Sequence, residues 1–130
     1  MKVKDLLKLS ADLHYKDCSV EREILCRRLQ LDVNRKVDEL SFGNRKKVAI
    51  VSALQHQPKL LILDEPTSGL DPLMQREFFH IIRERNEQGA TVFLSSHVLS
   101  EIQRNCTRAA IIRKGRIIAC DRVAVSYTHL

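Results

Sequence analysis

Lys59 to Asp71 reads K-L-L-I-L-D-E-P-T-S-G-L-D, and the fold class follows from this stretch. Leu60, Leu61, Ile62 and Leu63 form an unbroken apolar run, closed by Asp64, Glu65 and Pro66. A continuous apolar run ended by turn chemistry predicts a central parallel strand with both faces covered. Open α/β sheets bind their ligands beyond the C-terminal ends of the strands, where Asp64 and Glu65 stand. Adjacent carboxylates are costly to bury without a cation or hydrogen-bond donors. On this stretch alone two readings are open. In one, Asp64 holds Mg²⁺ through water and Glu65 polarises an attacking water. In the other, a strand simply ends in a polar turn, since short motifs have many false positives.

Two further stretches narrow the choice. Upstream, Leu40 to Asn44 reads L-S-F-G-N and opens a helix. Downstream, Phe93 to His97 reads F-L-S-S-H at the end of a second apolar run. Taken in order as signature, Walker B, D-loop and H-loop, these stretches closely resemble the ATP-binding-cassette (ABC) transporter ATPases. The resemblance covers almost the whole chain, to about Arg122, and the run D-E-P-T-S-G-L-D-P-L with S-S-H-V-L-S-E-I is most like bacterial export-type cassettes.

The resemblance implies an α/β fold: a P-loop NTPase-like, mainly parallel sheet with a small helical subdomain. A phosphate-cradling P-loop needs G-x-x-x-x-G-K-[ST]. Gly43, Gly69, Gly89 and Gly115 are the only glycines, and none fits. A full cassette carries that loop upstream, so the chain is expected to be an N-terminally truncated, C-terminal part of the nucleotide-binding domain. Walker A, the adenine-stacking aromatic and the Q-loop are then outside it. Residues 1–55 are expected to form the helical subdomain and signature helix, and residues 56–123 the Walker B, D-loop and H-loop core. The tail, 124–130, departs from the family and reads as frayed or foreign. Without upstream strands, the sheet is expected to keep unpaired edges and partly uncovered faces.

The resemblance also assigns roles. Glu65 and His97 would be catalytic, and Asp64 would hold Mg²⁺. Ser41, Phe42, Gly43 and Asn44 would bind the γ-phosphate of ATP held by a second cassette. A helix N-terminus with unpaired N–H groups suits that anion. The family usually has glycine at Phe42 and glutamine at Asn44, so the shape of this loop is an open point. Ser68, Gly69, Leu70 and Asp71 would form a D-loop at the interface of a head-to-tail dimer. The implied cofactors are ATP and Mg²⁺. The implied partners are a second nucleotide-binding domain and a transmembrane permease subunit, and no nucleic acid is expected. The implied place is cytoplasmic, peripheral on the inner face of the plasma membrane. Two other functions stay open: a soluble ABC-type ATPase of translation, and a non-enzymatic basic binding module. This chain alone is expected to be inactive as an ATP hydrolase.

Composition is compatible with these readings. The 130 residues are 44% hydrophobic and 29% charged, as in a globular domain with a core. Net charge is +6, which reads either as a solvated basic surface or as a match for an acidic partner: nucleotide, anionic lipid or nucleic acid. No aromatic residues interleave the basic ones to make a nucleic-acid stacking surface. Cys18, Cys26, Cys106 and Cys120 form no C-x-x-C pair and read as reduced thiols rather than a zinc site.

Periodicity supplies the remaining elements. Val3, Leu6, Leu7 and Leu13 predict a first amphipathic helix. Ser19 reads as the cap of a second, with Ile24, Leu25 and Leu29 inward. Ser41 caps a third that runs to about Gln55. Asp71 caps a fourth with Pro72 first and Met74, Phe78, Ile81 and Ile82 on its core face, ended by Gly89. Thr91 to Leu94 is a strand. A short helix carries Val98, Leu99 and Ile102. Lys114-Gly115 joins the two strands of a hairpin.

Overall fold

The computed structural model describes residues 1–122, the side chain of Asp121 excepted, so the tail 124–130 lies outside the described residues. The chain divides into two compact units, Met1–Ser95 and Ser96–Leu130. The first contains α1 (Val3–Leu13), α2 (Ser19–Arg28), α3 (Phe42–Leu54), β1 (Leu60–Asp64), α4 (Pro72–Glu87) and β2 (Thr91–Ser95). The helices before residue 55 share one core with the elements after it.

That core is built by helical spacing. Val3, Leu7 and Ala11 recur every four residues and are buried on α1. Leu13 falls off this stripe and is 70% exposed, against the expectation for it. The first turn of α1 is closed by the segment between α2 and α3: Val3 N–H donates to Arg35 O and Lys4 N–H to Val33 O, both at 2.9 Å. On α2, Ser19 is the first helical residue rather than the cap, and Asp17 Oδ1 accepts its N–H at 3.0 Å. Leu25 and Cys26 are buried there, whereas Ile24 is half-exposed. Val48, Ile50, Val51 and Leu54 of α3 complete this side of the core. From α4 come Met74, Phe78, Phe79, Ile81 and Ile82. Arg28 ties α2 to α4, with Nε 2.6 Å from Glu77 and a terminal nitrogen 2.5 Å from Glu84. The hydrogen bond from Arg28 holds the Glu84 carboxyl below its ordinary range.

β1 and β2 pair in parallel, Leu60 opposite Thr91 through Asp64 opposite Ser95. Leu61 is buried in the core, while Leu60, Ile62 and Phe93 are 56%, 71% and 68% exposed. The apolar composition of β1 would suit cover on both faces. The described residues cover only the face that Leu61 shares with the helices.

The second unit contains α5 (Leu99–Asn105) and an antiparallel hairpin of β3 (Arg108–Arg113) and β4 (Arg116–Arg122). Lys114 and Gly115 have φ of 50° and 77°. Positive φ at both central residues is the two-residue turn whose twist matches that of the strands.

Candidate functional site

Parallel register brings the first site residues together. Asp64 and Ser95 are paired at the ends of β1 and β2. Side chains of paired residues project to the same face. Ser95 Oγ donates to Asp64 Oδ1 at 2.5 Å and accepts the Glu65 N–H at 3.1 Å. A hydroxyl has one proton and two lone pairs, so both bonds form at once. The Ser95 carbonyl shares the same Glu65 N–H, also at 3.1 Å. Glu65 itself has φ 46°. That left-handed conformation costs a residue other than glycine about 1–2 kcal/mol, and such strain concentrates at functional sites.

The turn after Glu65 is tightly determined. Ser68 N–H donates to Glu65 O at 3.2 Å and Leu70 N–H to Thr67 O at 3.1 Å. Gly69 takes φ 83°, which glycine alone adopts freely. Pro66, Thr67 and Leu70 are buried beneath the turn. Asp71 then caps α4 by accepting Met74 N–H at 2.8 Å, and Gln75 Nε2 donates to Leu70 O at 3.0 Å.

Ser41 caps α3, its Oγ accepting Asn44 N–H at 3.2 Å. Phe42 is the first helical residue. Gly43 has a purpose within the chain: a Cβ there would stand 2.6 Å from the Gly69 carbonyl oxygen. Across the same gap, a Cβ on Gly69 would meet the Phe42 ring, 2.6 Å from Cε1. The structure therefore packs Ser41–Asn44 directly against the Ser68–Asp71 turn.

His97 belongs to the second unit, exposed in the bend between β2 and α5. Ser96 shapes that bend: its Oγ accepts Val98 N–H at 3.0 Å and donates to Glu101 Oε2 at 2.9 Å.

Two contributors escape a reading of the sequence. Ser95 was visible only as part of F-L-S-S-H, and its role needs the β1–β2 register. Arg85 is buried on α4, donating to Leu54 O at 2.9 Å and to Glu21. Its signal was its spacing, four residues beyond Ile81 on the core face.

Among the described residues no cluster of three or more His, Cys, Asp or Glu could hold a metal. Mg²⁺ retains several waters and uses one or two carboxylates beside substrate phosphates. One exposed carboxylate at a strand end, with Oδ1 oriented by Ser95, fits that mode of binding.

Comparison with known proteins identifies the family. Residues 19–102 match the family described as "AAA domain, putative AbiEii toxin, Type IV TA system". The chain is 44% identical over 92 residues to the uncharacterized ABC transporter ATP-binding protein YhcH of Bacillus subtilis, covering 70% of this chain and 30% of YhcH. It is 41% identical over 91 residues to the bacitracin transport ATP-binding protein BcrA of Bacillus licheniformis, covering 69% of this chain and 30% of BcrA. A solved structure of an ATP-binding subunit of an ABC transporter superposes with a TM-score of 0.86 at 30% identity. That likeness covers 99% of this chain and 56% of the solved one. Structural neighbours and the parallel β1–β2 pair thus define a domain of the P-loop NTPase fold. The chain belongs to the ATP-binding-cassette ATPase family, as its relatives and structural neighbours are ATP-binding proteins of ABC transporters. It spans less than a third of the length of either of the two relatives named. No helix among the described residues is long and apolar enough to cross a membrane.

Proposed function

We propose that this chain supplies the signature, catalytic-carboxylate and H-loop portion of a cassette that hydrolyses ATP to drive a membrane exporter. The observation that carries the reading is the end of β1, where Ser95 orients the Asp64 carboxylate and holds the strained Glu65 backbone. Asp64 would hold Mg²⁺ through water, and the cation would neutralise charge on the phosphates. Glu65 would accept a proton from the attacking water. By resemblance, His97 would be the catalytic histidine of the H-loop. Ser41, Gly43 and Asn44, with the backbone of Phe42, would face ATP bound by a second cassette, with Ser68 to Asp71 at the same dimer interface. In this reading the P-loop comes from sequence outside these 130 residues, and the chain alone turns over no ATP. The permease partner and export direction rest on resemblance, and relatives such as the bacitracin transport protein support transport.

The test is Mg²⁺-dependent ATP turnover by the complete cassette, meaning this chain with the P-loop half that the reading requires. Glu65→Gln should lower turnover by about 10²–10⁴-fold, the usual cost of losing a general base. Near-normal turnover by that variant would remove Glu65 from the mechanism.

A further inference from the structure

Phe42 and Gly69 make a contact that neither motif needs for itself. Gly69 turns with φ 83°, and the Phe42 ring occupies the space that any Cβ on it would fill. Immediately beside this contact, the Gly69 carbonyl lies against the bare Cα of Gly43. Two successive residues at the start of α3 therefore seat on one residue of the turn after β1. Phe42 is 63% exposed, so the contact is not a matter of burial in the core. The two loops are otherwise anchored independently, α3 by its Ser41 cap and α4 by its Asp71 cap. Removing the ring leaves both caps intact and opens a gap over Gly69.

We propose that Phe42 is a positioning residue. Its ring, seated on Gly69, holds the turn Ser68–Asp71 against the N-terminus of α3, so that both loops meet a partner copy as one rigid surface. The need for a partner copy rests on the function proposed above, whereas the clamp itself rests on the Phe42–Gly69 and Gly43–Gly69 contacts. The Phe42 ring acts through the turn and not on the reacting atoms. Its loss should therefore lower the rate of turnover without lowering ATP affinity in proportion.

The experiment compares Phe42→Ala and Phe42→Tyr in the complete cassette, by amide hydrogen exchange and by steady-state ATP turnover. Ser68 and Leu70 report the turn, since their N–H groups close it onto Glu65 O and Thr67 O. In Phe42→Ala their exchange should quicken by about tenfold or more, with α4 interior amides unchanged, as expected of a local opening. Turnover should fall about 10–100-fold, the scale of a displacement of about 1 Å near a site, with KM held within about twofold. Phe42→Tyr, which keeps the ring, should restore both readouts. Unchanged exchange at Ser68 and Leu70 overturns the clamp. Quickened exchange with normal turnover overturns the functional role and leaves the ATPase reading standing. If the wild-type cassette neither binds nor hydrolyses ATP, the ATPase reading fails and the role in turnover fails with it. The exchange data still decide whether Phe42 holds the turn.

Discussion

Ser95→Ala in the complete cassette isolates one atom of the site. The change removes the hydroxyl that donates to Asp64 Oδ1 at 2.5 Å and accepts the Glu65 N–H at 3.1 Å. The second loss is minor, because the Ser95 carbonyl still accepts that N–H at 3.1 Å. The first matters more: a hydrogen bond to a charged group contributes about 1.5–3 kcal/mol. Asp64 and Ser95 are both exposed, so water replaces part of the lost bond and the lower end applies. About 1.4 kcal/mol is a tenfold change in an equilibrium constant. The Mg²⁺ concentration that half-saturates ATP turnover should therefore rise about tenfold, with little change in thermal midpoint. Ser95→Thr keeps the hydroxyl and should recover most of the affinity. A Mg²⁺ dependence within about twofold of wild type in Ser95→Ala would refute the reasoning, since the lost bond would then have contributed under about 0.5 kcal/mol.

Two predictions concern the scaffold. Arg85→Ala removes one of two donors to the Leu54 carbonyl, which keeps the Gln57 N–H at 3.0 Å, and takes from Glu21 its arginine partner; the Arg85 side chain is 7% exposed and Glu21 25%. Breaking a buried pair costs about 3–5 kcal/mol, and the partial exposure of Glu21 sets the expected loss near 3, measurable by urea unfolding. A loss below about 1 kcal/mol would show that this arginine is not a structural tie. The exposed Leu60, Ile62 and Phe93 should make the 130-residue chain self-associate in sedimentation velocity, and Ile62→Lys with Phe93→Lys should reduce it. A monodisperse wild-type monomer would count against that expectation.

Local chemistry made much of this architecture legible in the sequence. Ser41 and Asp71 read as caps because a short polar side chain directly precedes a helical run, with Pro72 pre-set at the first helical position. Both caps form as expected. Gly89 and Lys114-Gly115 were legible for the same reason, since positive φ has few candidates. What stayed hidden depends on docking between distant segments. Nothing in L-S-F-G-N announces that Phe42 lies on Gly69, or that the bareness of Gly43 serves the Gly69 carbonyl. Ser95 acquires meaning only when β2 pairs with β1 in register. Leu13 shows the limit of periodicity: an apolar residue near a stripe is exposed when the true spacing is Val3, Leu7, Ala11. Arg85 shows the converse, a charge on the core face retained because two partners meet it there.

The central claim is that the two loops at Ser41–Asn44 and Ser68–Asp71 close over ATP held by a second cassette while Glu65 carries out the chemistry. Sedimentation velocity of the complete Glu65→Gln cassette, with and without ATP, tests it most directly. Glu65→Gln keeps the shape of the side chain and removes its base, so ATP should convert monomer to a stable dimer, and Ser41→Arg in the same background should abolish that dimer. A Glu65→Gln cassette that binds ATP yet stays monomeric would contradict the account, as would a dimer indifferent to Ser41→Arg.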